Sequence, residues 1–143
     1  MIREAEAIDR EALQGLYQSL APEAPVKVTP ERIEEIKDDP HNFLWVFEEN
    51  GVVIGTVFLT LALNAMFGSL PFGVIENVVV DSAHRGQGVG SRLIDHAVAF
   101  CKEQKCVKVM LMSSIHRKEA HAFYERKGFD GSAKKGFVLY CYR

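Results

Sequence analysis

From Ile75 to Cys101 the chain reads as a strand, a glycine-rich turn and a helix, and this succession limits its possible folds more than any other feature. The apolar run Val78-Val79-Val80 precedes Arg85-Gly86-Gln87-Gly88-Val89-Gly90, and the helical spacing Leu93-Ile94, Ala97-Val98, Cys101 follows. Glycines let a backbone curl so that several N–H groups point into one concavity. A helix N-terminus behind them adds unpaired donors and the positive end of its dipole. Such a turn suits a guest that carries phosphates. The alternative is a glycine turn with no ligand.

Three phosphate-binding patterns compete. The nucleotide P-loop ends in Gly-Lys followed by Ser or Thr, and no such string occurs. The dinucleotide fingerprint needs a third glycine three residues after its second. Gly86 and Gly88 begin it, but the third position is Ser91. The third pattern is Arg or Gln, two residues, Gly, one residue, then Gly or Ala, after a strand. Arg85, Gly88 and Gly90 fit it fully. On this segment the sequence resembles the GNAT family of N-acetyltransferases, which use acetyl-CoA. The resemblance implies that the loop Arg85, Gly86, Gln87, Gly88, Val89, Gly90 and Ser91 holds the pyrophosphate of the coenzyme. A second segment, Ala120-His121-Ala122-Phe123-Tyr124-Glu125-Arg126-Lys127-Gly128-Phe129, is similar to the family's Ala-x-x-Phe-Tyr-x-x-x-Gly-Phe stretch.

Composition narrows the setting. A chain of 143 residues is long enough for one domain with a proper core. A net charge of −2 argues against a general nucleic-acid surface. No apolar run approaches the ~20 residues of a membrane span, and the opening Met-Ile-Arg-Glu-Ala-Glu has no signal-peptide core. Cys101, Cys106 and Cys141 are odd in number and lack metal-ligand spacing, which predicts free thiols in a cytoplasmic protein.

The pattern along the chain predicts a helix from Asp9, as cap, to about Leu20, and a second after Thr29-Pro30-Glu31 that ends by Pro40. Phe43 to Phe47 and Val52 to about Leu63 read as strands around Asn50-Gly51, a strong hairpin signal. Gly68 to Gly73 reads as a loop and Val74 to Val80 as a strand. A helix runs from the glycine loop to about Lys105. Val107 to Met112, poor in polar residues, reads as a strand buried on both faces. Glu119 to Lys127 is a helix that Gly128 terminates, and Phe137 to Tyr142 is a last strand. With a short initial strand, the order is βααβββαβαβ. No linker is visible, so residues 1–143 read as one α/β (α+β) domain. The order matches the GNAT fold, which implies a central mixed, mostly antiparallel, twisted sheet of six to seven strands flanked by about four helices.

The resemblance also implies roles. Acetyl transfer to an amine needs a group to take the amine proton, a donor for the thioester oxygen and a proton for the leaving sulfur. In the family the strand Ile75 to Asp81 leaves its neighbour at a bulge, so that backbone groups of Val78, Val79 and Val80 are free to pair with the pantetheine arm. Glu76 corresponds to the glutamate that many members use as general base. Burial in an apolar strand raises a carboxyl's pKa toward that use, while pairing with a cation or a wet cavity edge is the alternative. Tyr124 corresponds to the acid that protonates the departing thiolate; the alternative is a packing aromatic. Many relatives carry Asn where this chain has Arg117, a departure shared with aminoalkylphosphonate acetyltransferases. Arg117 therefore serves a coenzyme phosphate, an anionic group on the substrate, or solvent alone. His116, Glu119 and His121 fit a metal site poorly, and no metal is expected. The acceptor pocket is expected at Ala21 to Lys27 and at the apolar loop Asn64 to Phe72, with Phe67 and Phe72 beside Glu76.

The expected activity is acetyl transfer to the primary amine of a small molecule, by direct attack in a ternary complex, in a homodimer with no nucleic-acid or membrane partner. The rival readings are a peptide or protein N-acetyltransferase and a non-catalytic acyl-CoA sensor.

Overall fold

The sheet is organised around Asn50-Gly51, whose φ values of 52° and 78° are those of a tight hairpin turn. In this computed structural model, which describes residues 1–142, five strands are formed: β1 (Ile2–Glu4), β2 (Asn42–Glu49), β3 (Val52–Ala62), β4 (Phe72–Val80) and β5 (Val109–Leu111). Four α-helices accompany them: α1 (Arg10–Leu20), α2 (Pro30–Asp38), α3 (Val89–Glu103) and α4 (Lys118–Arg126). The strands lie in sequence order, antiparallel except for the last pair, β4 and β5. The chain forms two compact units, Met1–Leu111 and Met112–Arg143.

Both faces of the sheet in the first unit are covered, which is why Leu44 to Phe47 and Ile54 to Val57 are buried without alternation. Phe43, Trp45 and Phe47 of β2 face α3: the Phe43 and Phe100 rings lie 4.6 Å apart, and the Arg92 guanidinium sits 4.9 Å over Phe47. On the opposite face Leu44 and Val46 join Ala5, Leu13 of α1 and Ile33 of α2, with Tyr17 and Phe58 packed against them. Thr29 caps α2 through its hydroxyl, which accepts from the Arg32 N–H at 3.2 Å, with Pro30 at the first position.

Several expectations need correction. The sheet has five strands among the described residues, not six to seven, because Phe137 to Tyr142 forms no ladder, and a strand exists only through its pairing. β5 spans three residues rather than Val107 to Met112. Its residues are half-buried, because it lies at an edge with β4 as its one partner strand. Phe72 belongs to β4, opposite Ala62, and not to the preceding loop. Asp9 stands at the N-cap position of α1, but its side chain accepts no hydrogen bond from that helix. Its carboxylate accepts from Arg3 Nη1 and Nη2 at 2.8 and 2.9 Å and from the Glu6 N–H at 2.8 Å, and Arg3 also reaches Glu48. Among the described residues no helix is long and apolar enough to cross a membrane.

Candidate active site

Pairing between β4 and β5 runs only from Gly73–Val109 to Ile75–Leu111. Past Ile75, β4 continues to Val80 with no strand on that side among the described residues, so its backbone edge is unpaired there from Glu76 onward. The register with β3 also breaks here: Glu76 faces Phe58, but Val79 faces Thr56. Three steps on β4 are matched by two on β3, which places one extra residue at Asn77–Val78, a β-bulge. Asn77 carries it with φ 55°, a conformation that asparagine tolerates better than most residues.

The bulge decides which face each residue serves. Gly73 looks at α3, since a Cβ there would touch Cys101, and so does Val80, whose Cγ2 would lie 3.6 Å from a Cβ on Gly90. Residues seven apart share a face only because of the inserted residue. Glu76 lies on the opposite face, the side of α1 and α2, paired with Phe58. Its side chain is exposed, as is that of Asn77. The expected partial burial of Glu76 is therefore absent: with β5 ended, no strand among the described residues screens it on the side away from β3. Among the described residues it makes no ion pair. Val79 is buried; Val78 and Val80 are half-buried.

Phe72 shares the face of Glu76, about 13 Å back along the strand, with the Lys108 ammonium 5.1 Å from its ring centroid. Phe67 and Met66 are exposed on the loop before it.

After β4 the chain makes a short turn, Ser82–His84, pinned by the His84 imidazole 2.9 Å from the Asp81 carboxylate. Arg85 is extended and exposed; Gly86 and Gly88 take φ 79° and 81°, and no other atom comes within 4 Å of where their Cβ atoms would sit. Gly88 is the N-cap of α3 and offers no side-chain acceptor. The first turn of α3 thus begins at an unobstructed glycine turn with no side-chain cap, a geometry that fits a pyrophosphate. Val89 is buried and anchors the turn, while Gly90 and Ser91 are half-buried.

In the second unit, Tyr124 lies on α4 between two other rings, with centroids 5.2 Å from Phe123 and 6.0 Å from Phe129. The Phe129 N–H donates to the Tyr124 carbonyl at 3.1 Å beyond Gly128, whose φ of 99° ends the helix. Burial raises the Tyr124 hydroxyl above the ordinary tyrosine value, and the nearby Arg117 charge opposes that rise. Arg117 is exposed at the start of α4. His121 Nε2 lies 2.8 Å from the Ser114 carbonyl. Among the described residues no three His, Cys, Asp or Glu side chains group as metal ligands. No sequence pattern points to the Ser113 hydroxyl, which is shut from solvent with no hydrogen-bond partner among the described residues. All three cysteines are free, and burial together with Cys106 pushes the Cys101 thiol up to about 12, a poor nucleophile.

Residues 13–129 match the family model of the acetyltransferase (GNAT) family. The chain belongs to that family. The family's acyl donor is acetyl-CoA, and the glycine loop and open strand edge have the donors such a ligand needs. Among GNAT relatives, glucosamine 6-phosphate N-acetyltransferase of Arabidopsis thaliana is 31% identical over 105 residues, covering 71% of this chain and 68% of that one. Aminoalkylphosphonate N-acetyltransferase of Salmonella typhimurium is 30% identical over 94 residues, covering 66% and 60%. The matched stretch spans about half the length of several other curated relatives, from 41% to 54%. A solved structure from Agrobacterium tumefaciens superimposes with a TM-score of 0.89 at 34% identity, over 98% of this chain and 99% of that one.

Proposed function

We propose that this GNAT protein is an acetyl-CoA-dependent N-acetyltransferase acting on the primary amine of a small molecule, as one domain and as a cytoplasmic homodimer. The observation that carries the reading is the end of β4–β5 pairing at Ile75. An acidic side chain, a bulge and an open backbone edge follow within three residues, and the strand then leads into an uncapped helix start. Three free thiols are consistent with a reducing compartment.

In this mechanism Gly86 to Ser91 and Arg85 hold the donor's pyrophosphate, and the backbone of Val78 to Val80 aligns its arm along the open edge. The Val78 N–H donates to the thioester oxygen as charge develops there. Glu76 accepts the proton of the attacking ammonium, directly or through water; its exposure on the face of α1 and α2 gives it access to solvent. The nitrogen lone pair forms the C–N bond, the C–S bond breaks, and the Tyr124 O–H protonates the departing sulfur; the second nitrogen proton, shed as the amide forms, returns the Tyr124 oxygen to its hydroxyl form by way of solvent. Exposed Phe67 and half-buried Phe72 line the acceptor side.

The two named relatives suggest an acceptor class. Glucosamine 6-phosphate and aminoalkylphosphonates each combine a primary amine with a phosphorus oxyanion. Arg117, exposed and carrying a fork of donors, suits the oxyanion of such a substrate. The test is thiol release from acetyl-CoA against amino-sugar phosphates, aminoalkylphosphonates, polyamines, amino acids and short peptides. Turnover limited to phosphorylated or phosphonylated amines is the expected result. Turnover with peptides alone overturns the small-molecule reading, and coenzyme binding with no turnover overturns catalysis.

A further inference from the structure

Helix α3 ends in a Schellman turn. Lys105 takes the left-handed conformation with φ 59°, and its N–H donates to the Lys102 carbonyl at 3.1 Å. The Cys106 N–H reaches back to the Cys101 carbonyl at 3.0 Å. In such a turn the two residues joined by the longer-range hydrogen bond bring their side chains together, commonly as an apolar contact. Here both are cysteines. Both are free, and the Cys101 S–H is hydrogen-bonded to the Cys106 sulfur.

The two thiols differ in a way that suits thiol–disulfide exchange. Cys101 is shut from solvent, whereas Cys106 is half-buried between exposed Lys105 and exposed Val107. Burial raises both thiols, but the hydrogen bond from Cys101 favours the Cys106 thiolate while it holds the proton on Cys101. Cys106 is therefore the sulfur that a reagent in solvent reaches, and Cys101 stands behind it within hydrogen-bonding reach. The Cys101 sulfur is also the atom that a Cβ on Gly73 would meet, and Gly73 opens the β4–β5 ladder opposite Val109. A change at this sulfur acts on the packing under that first rung.

We propose that Cys101 and Cys106 are a redox modification site, which a low-molecular-weight disulfide such as glutathione disulfide converts reversibly to an internal disulfide. The Cys106 thiolate attacks one sulfur of the reagent, the reagent's S–S bond breaks, and one glutathione leaves and takes up a proton. Cys101 gives its proton to solvent and attacks the Cys106 sulfur of the mixed disulfide, expelling the second glutathione, which is protonated in turn. Two protein thiols are oxidised and one glutathione disulfide is reduced to two thiols. In a reducing compartment such a bond is transient and reports a change of redox state.

The test uses the full chain carrying Cys141→Ser, so that only the pair can respond. The chain is incubated with glutathione disulfide, denatured, alkylated with N-ethylmaleimide and mapped by peptide mass. Cys101 and Cys106 are expected to be joined, short of two hydrogens and free of glutathione, and dithiothreitol is expected to restore both thiols. Alkylation of both cysteines, glutathione retained on Cys106, or a disulfide between two chains overturns the proposal. Cys101→Ser is expected to stop at the mixed disulfide on Cys106, and Cys106→Ser to leave Cys101 unmodified. Modification of Cys101 in Cys106→Ser at the rate of the unsubstituted pair overturns the order of attack. The mapping of the intact pair needs neither variant, so it decides the matter even where one of them fails to fold. None of these readouts depends on turnover, so failure here and failure of the proposed chemistry are distinguishable.

Discussion

A Cβ built on Gly73 would lie 2.7 Å from the Cys101 sulfur, closer than any real contact. This approach seats α3 on β4 and so helps to set where the glycine loop begins. Gly73→Ala is expected to cost about 1–3 kcal/mol in urea unfolding. Adding Cys101→Ala should return part of that loss. Equal effects of Gly73→Ala in both backgrounds would show that the sulfur is not the obstacle.

Gly88→Ala forces an alanine into the left-handed region, at about 1–2 kcal/mol, at the N-cap of α3. We expect the Kd for coenzyme A to rise about tenfold or more. Calorimetry checks this, and an unchanged Kd would move the pyrophosphate elsewhere.

Tyr124→Phe keeps the stacking on Phe123 and Phe129 and removes only the proton. It is expected to lower kcat about a hundredfold with little change in coenzyme affinity. Burial raises the hydroxyl's pKa, so the acid form persists above the ordinary tyrosine range, and loss of the wild-type rate on the alkaline side should begin only beyond it. Equal losses in kcat and in coenzyme affinity would assign Tyr124 to packing.

Glu76→Gln removes the proposed base without altering the strand. The rate of acetyl transfer should fall about a hundredfold. A rate like that of the wild type would mean that another group takes the proton.

Asp9→Asn breaks the paired hydrogen bonds from Arg3 that tie β1 to the turn before α1. Burial pushes this carboxyl up, but the Arg3 guanidinium and the Glu6 amide more than offset it, leaving the pKa below its usual 3.8. A depressed carboxyl contributes stability that is present above the unfolded pKa and lost as pH falls through the folded one. The substitution should cost about 2 kcal/mol at neutral pH and should flatten the acid side of a plot of Tm against pH. A plot as steep as that of the wild type would exclude Asp9 as its source.

The parts of the fold that local chemistry determines were legible in the sequence. Asn50-Gly51 and Thr29-Pro30 each specify a backbone geometry within a few residues, and both stand as read. Gly88 announced the loop because few other residues adopt its φ. What depended on distant partners was not legible. The length of β5 depends on how far β4 accompanies it, and Phe137 to Tyr142 has strand composition but no strand beside it. Glu76 was read as screened because its sequence neighbours are apolar, yet its exposure follows from where β5 stops. Asp9 stands at the helix cap position its sequence context predicts, but nothing local reveals that its carboxylate turns to Arg3 on β1.

The single inserted residue at Asn77 acts as a phase shift. Before it, odd-numbered positions of β4 answer to α3; after it, even-numbered positions do. A strand can therefore pack against helices on both sides and still turn two consecutive polar side chains, Glu76 and Asn77, toward water. Removing one residue there would exchange the faces of everything between Val78 and the glycine loop, and would point Val80 away from the helix it now meets. Reading frame, in this strand, is a property of the backbone as well as of the gene.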